Sequence, residues 1–158
     1  MMETRERKVS THDLFPLVKE LLADNRQAVF TVTGYSMIPF LGNGRDQVKV
    51  EKLDAEKLKK GDIILFQQEE KPYDYILHRI YRIKNGKFQT MGDGNTYMDE
   101  PVSPQQIIGV VTKVYRKGRE IDCHSRRWRA AAALWRANRP FRGIVMDLYK
   151  MVSKYRSK

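Results

Sequence analysis

Cysteine is nearly absent: Cys123 is the only thiol in 158 residues, so no disulfide can form within the chain and stability must come from a packed core. That fits a reducing compartment. Long apolar runs are also missing, and the N-terminal stretch MMETRERKVSTHD is charged. Neither a cleavable signal peptide nor a membrane-spanning segment is expected, and the anticipated location is cytoplasmic or peripheral to a membrane. No metal-ligand cluster and no phosphate-cradling glycine loop occurs, so no cofactor or metal is expected. Acidic residues are scarce in one place above all. Residues 124–158 hold ten Lys or Arg and a single acid, Asp147, a net +9, whereas the first 123 residues carry only +2 of the total +11. Such a tail favours anionic partners. It carries no recognised nucleic-acid motif, which makes nucleic acid an unexpected partner and an anionic membrane surface a candidate one.

What is present fits one compact domain with a short leading helix and a helical tail. Leu14, Leu17, Val18, Leu21 and Leu22 recur at helical spacing, with Ser10 or Thr11 available as a cap, so residues 11–25 read as an amphipathic helix. From residue 28 to 115 the texture changes to short β-branched and aromatic runs at 28–33, 47–51, 62–67, 75–83, 87–90 and 107–115. Punctuated by Gly, Asp, Asn and Pro, these predict a barrel or sandwich of strands. After Cys123 two helical pieces are divided by Asn138, Arg139 and Pro140. The second carries an apolar stripe of Ile144, Val145, Leu148, Met151, Val152 and Tyr155 with a basic border. Trp128, Trp135, Phe141 and Tyr149 also suit an interfacial helix, or one that packs or dimerises. The expected divisions are 1–26, an N-terminal helix; 27–123, a mainly β catalytic domain; and 124–158, a separable basic appendage.

Three short motifs carry chemistry. Thr33-Gly34-Tyr35-Ser36-Met37-Ile38-Pro39 follows a predicted strand, which would expose Ser36 at a strand end. Gly34 permits close approach of a ligand, and nearby amide N–H groups could bind an oxyanion. His78, in Ile76-Leu77-His78-Arg79-Ile80, shares a strand face with Ile76 and Ile80 and needs a polar partner there. An imidazole can take a proton from a serine and return it to a leaving amine. The loop Gly92-Asp93-Gly94-Asn95-Thr96-Tyr97-Met98-Asp99 offers two carboxylates six residues apart, either of which could orient that histidine. Each motif has a plainer reading: a turn serine, a satisfied core histidine, a tight turn with solvated acids.

In order along the chain stand Gly-Tyr-Ser-Met-Ile-Pro at 34–39, Lys-Gly-Asp-Ile-Ile-Leu-Phe at 60–66, Leu-His-Arg-Ile at 77–80, the 92–99 loop, and Ile-Ile-Gly-Val-Val at 107–111. Together they resemble the type I signal peptidase family, within the larger group that includes the LexA-like autoproteases. The His-Arg-Ile motif is similar to the endoplasmic-reticulum and archaeal branch, which uses Ser-His chemistry where the common bacterial branch uses lysine. The resemblance implies a mainly β catalytic fold and a serine endopeptidase. It assigns Ser36 as nucleophile, His78 as base, Asp99 as the orienting acid and Asp93 as its support, with Gly34, Tyr35 and Met37 at the substrate. It further implies a peptide or preprotein substrate with small residues near the cleavage site, bound as an extended strand. Gly94 stands where that branch usually has a second Asn, and an amphipathic helix stands where its members usually have a membrane span. A LexA-like self-cleaving regulator is the alternative, although a DNA-reading domain would not fit in the roughly 26 residues before the first strand. A non-catalytic module attached by its basic tail is the third.

Overall fold

A computed structural model describes residues 11–71 and 74–156. Ser10, one of the two candidate caps, lies outside them. Helix α1 spans Thr11–Ala23. Val18 and Leu22 are buried and Leu14 and Leu21 pack against the same cluster, so four of the five expected positions face inward; Leu17 is exposed and Phe15 is buried in addition. The helix ends where Asn25 takes a left-handed φ of 56°. Arg26 N–H then reaches the Leu21 carbonyl and Asn25 N–H that of Leu22, which satisfies the last carbonyls of the helix.

Seven antiparallel strands follow: β1 (Ala28–Thr31), β2 (Asp46–Glu51), β3 (Ile63–Gln67), β4 (Tyr75–Lys84), β5 (Lys87–Met91), β6 (Ile107–Arg116) and β7 (Arg119–Asp122). They form one sheet in the order β1-β2-β6-β3-β4-β5, with β7 also on β6. The chain therefore builds a single sheet, and the length of β6 is the reason. Its first residues pair with β3, its later ones pair with β2, and β7 joins its last four. One ten-residue strand thus bridges what would otherwise be two layers. Strand β7 is largely polar (Arg119, Glu120, Asp122) and closes a hairpin through Lys117 and Gly118, both with positive φ. The Asn85–Gly86 turn between β4 and β5 is of the same kind, the type whose twist matches that of paired strands.

Two apolar clusters hold the sheet. One joins α1 to β1, β2, β3 and β6 and includes Met37, Leu41 and Cys123. The other gathers Leu58, Ile64, Phe66, Ile80, Phe88, Val102 and Val110. Beyond Cys123, helix α2 (Arg126–Ala137) is capped by Ser125, whose Oγ accepts from Trp128 N–H, and a short turn leads into helix α3 (Arg142–Arg156). Helix α2 is packed against the rest of the molecule: Ala132 is buried, Trp128 packs on the first cluster, and Phe40 meets both Trp128 and Trp135 edge-on. Chain texture changes at Cys123, but packing runs across it.

Candidate active site

Ser36 sits in the turn after β1, half buried, between exposed Tyr35 and buried Met37. Gly34 adopts a φ of 88°, a conformation that costs glycine little, and its N–H donates to Asn43 Oδ1. The far arm of this loop is tied to Asp46. That carboxylate accepts from Gly42 N–H, from Arg45 and from Arg116, and Arg116 also donates to the Phe40 carbonyl. Burial alone would raise the Asp46 carboxyl, but the Arg116 and Arg45 guanidiniums and the Gly42 amide outweigh it and hold the carboxyl at about 2. A charge locked in place thus braces the serine loop. Among the described residues the Ser36 and Met37 N–H groups have no hydrogen-bond acceptor.

His78 and Arg79 are neighbours on β4 and, by strand alternation, point to opposite faces. His78 is nearly buried, edge-on to Phe66, and its Nδ1 lies 2.6 Å from Asp99 Oδ2. Thr90 Oγ1 donates to the same carboxylate oxygen at 2.7 Å. The chain returns Asp99 to this point because Asp99 N–H pairs with the Thr90 carbonyl. Asp99 Oδ2 thus accepts from Thr90 and lies within hydrogen-bond distance of His78 Nδ1; in a neutral imidazole that donates from Nδ1, Nε2 is the unprotonated nitrogen.

Asp93 goes elsewhere. Both its oxygens accept from Arg79, and both side chains are fully buried. Arg79 also donates to the Gly61 carbonyl and stacks on Phe40. The structure therefore separates the two acids: Asp99 contacts the histidine, and Asp93 fixes the loop from the other face. The Met37 side chain belongs to the apolar cluster under α1.

The serine and acid loops abut. Gly94 N–H donates to the Ser36 carbonyl at 2.8 Å, and a Cβ on Gly92 would lie 2.5 Å from that same oxygen. Since Met91 pairs with Arg79, Gly92 falls beside the His78 end of β4. This contact joins the serine loop to the loop that carries Asp99. Among the described residues no hydrogen bond yet joins Ser36 to His78. Catalytic contacts of this kind often tighten only when substrate is bound.

Three further contributors had no signal in the sequence. Thr90 reads as an ordinary strand residue. Trp135 Nε1 donates to the Asp93 carbonyl, and Arg142 donates to the Asn95 carbonyl and to the Tyr81 hydroxyl. Burial pushes the Tyr81 phenol upward against the opposing pull of Arg142, so it stays a neutral acceptor. Met146 completes the clamp: a Cβ on Gly94 would come within 3.2 Å of its Cε and 3.1 Å of the Tyr35 and Ile38 carbonyls. The space that a second Asn would need is filled. Among the described residues no three His, Cys, Asp or Glu side chains gather as metal ligands.

The turn that carries Ser36 thus abuts the loop whose Asp99 is bonded to His78. Residues 2–112 match the family described as Peptidase S24-like, and the chain belongs to that family, the LexA-like kind of serine peptidase. The mainly antiparallel sheet with flanking helices agrees with that fold. No curated protein matches the chain. The match ends before β7, α2 and α3, so the clamp that these helices place on the acid loop lies outside the family region.

Proposed function

We propose that this protein is a Ser-His endopeptidase of the signal-peptidase kind that cleaves leader or signal-like segments. The observation that carries this reading is the His78 Nδ1–Asp99 Oδ2 contact, with Thr90 on the same oxygen, because it leaves Nε2 basic. In the proposed reaction Ser36 Oγ attacks the scissile carbonyl while His78 Nε2 takes its proton. The oxyanion is received by the Ser36 and Met37 N–H groups, and the proton passes from His78 to the leaving amine. Water then attacks the acyl-enzyme by the same route. Asp99 holds the tautomer and offsets the imidazolium charge.

Substrate would pair as an extended strand along β1, which among the described residues has a sheet partner, β2, on one side only. Tyr35 and Tyr97 are both exposed on the serine and acid loops and would form the lip over the bound segment. Small residues near the cleavage site follow from the family likeness. Incubation with a peptide library, with cuts located by mass spectrometry, tests the reading. Cuts after small residues that disappear in Ser36→Ala support it, and cuts that survive Ser36→Ala sink it. Intact mass over time addresses the self-cleaving regulator. A processed product in wild type but not in Ser36→Ala, with no peptide cut in trans, would replace the leader-peptidase reading with that one.

A further inference from the structure

Helix α3 meets the rest of the molecule along one narrow edge. Arg142 and Met146, one turn apart, are its buried residues. At 3.6 residues per turn the opposite side carries Ile144, Leu148, Met151, Val152 and Tyr155, an apolar arc of roughly 120°. These five are between 53 % and 79 % exposed, and Phe141 at the start of the helix is 62 % exposed. A soluble surface rarely leaves so continuous an apolar strip uncovered. The tryptophans of the tail are not part of it, since Trp128 and Trp135 are spent on the sheet and the acid loop.

We infer that this face of α3 docks in the interfacial layer of an anionic lipid bilayer, with the helix axis in the membrane plane. Charge selects the occupant. Lys154 and Lys150 lie on one side of the apolar arc with Asp147, the only acid after residue 123, beside them, and Arg126, Arg127 and Arg139 are exposed elsewhere in the tail. An anionic surface neutralises that set, and screening by salt should weaken the attraction. A second copy would bring the same lysine border against itself with one carboxylate per chain to offset it. No helix among the described residues is long and apolar enough to cross a membrane, which leaves surface docking as the mode that fits α3. The contact is independent of the Ser36 chemistry, so either reading can fail alone.

The test is co-sedimentation of the full chain with vesicles of equal parts phosphatidylglycerol and phosphatidylcholine, and with phosphatidylcholine alone. Wild type and Ser36→Ala should both sediment with the anionic vesicles and be released as salt rises. Leu148→Glu, at an exposed position and so without cost to the fold, should weaken binding more than tenfold, and Lys150→Glu with Lys154→Glu severalfold. Absence of binding to anionic vesicles overturns the inference. So does binding that Leu148→Glu leaves unchanged, or a concentration-dependent dimer, seen by light scattering without vesicle binding, that Leu148→Glu converts to monomer.

Discussion

Two carboxylates six residues apart meet different partners: Asp99 the histidine of β4, Asp93 the buried arginine beside it. Asp99→Asn keeps the shape of the side chain but removes the charge that orients His78, so turnover should fall by roughly three to four orders of magnitude with the melting temperature little changed. Asp93→Asn should behave in the opposite sense. It strands the buried Arg79 guanidinium, which costs about 3–5 kcal/mol of stability, visible as a large drop in the thermal midpoint. Equal losses of activity at equal stability in the two variants would refute the division of roles. Cys123 gives a separate check at the same scale. Burial first of all pushes its thiol up to about 12, and the thiolate is the reactive form. Iodoacetamide at pH 8 should therefore label folded protein far more slowly than unfolded protein, a difference that intact mass would read directly.

At the scale of elements, the junction between α2, α3 and the acid loop decides whether the tail is an appendage. Trp135→Phe keeps the ring on Phe40 but removes the N–H that holds the Asp93 carbonyl, at a cost of about 1–2 kcal/mol. It should lower kcat more than it raises KM, because the loop carrying Asp99 loses a tether. Gly94→Asn should be worse than its surface position suggests, since a side chain there meets the Tyr35 and Ile38 carbonyls and Met146 together. Thermal stability and turnover should fall together. Full activity in Gly94→Asn would show that α3 can move aside freely, and the clamp would then carry no catalytic weight.

For the whole molecule, acid and truncation probe different supports. Asp46 has its carboxyl held at about 2 against an ordinary 3.8. Its folded pKa lies below the unfolded one, so its stabilisation, about 2 kcal/mol by linkage, is complete above 3.8 and is lost as pH falls from there through 2. Asp46→Asn should flatten the acid limb of a stability profile in that window, and an unchanged limb would show that other carboxylates govern it. A chain ending at Cys123 would bare Phe40 and remove the Trp135 contact to Asp93. It should melt well below the full chain and bind a hydrophobic dye. A truncated chain of wild-type stability would restore the view of residues 124–158 as separable.

Local pattern was enough to place α1, six of the seven strands and both tail helices, because alternation, helical spacing and turn residues act over a few neighbours. The same reasoning put Ser36, His78 and the pair of acids on the page. Which acid meets His78 depends on the register of β4 against β5 and on the return of Asp99 to Thr90, neither of which is local. The single sheet follows from β6 serving β2, β3 and β7, and β7 escaped notice because its polar residues are strand only by pairing. The tail was legible as helical and basic, while its division of labour was not. Helical periodicity defines an apolar face without saying what covers it; the packed fold gives Trp128, Ala132 and Trp135 to the domain and leaves the stripe of α3 in the open. Sequence sets each residue's face, and tertiary packing decides what that face meets.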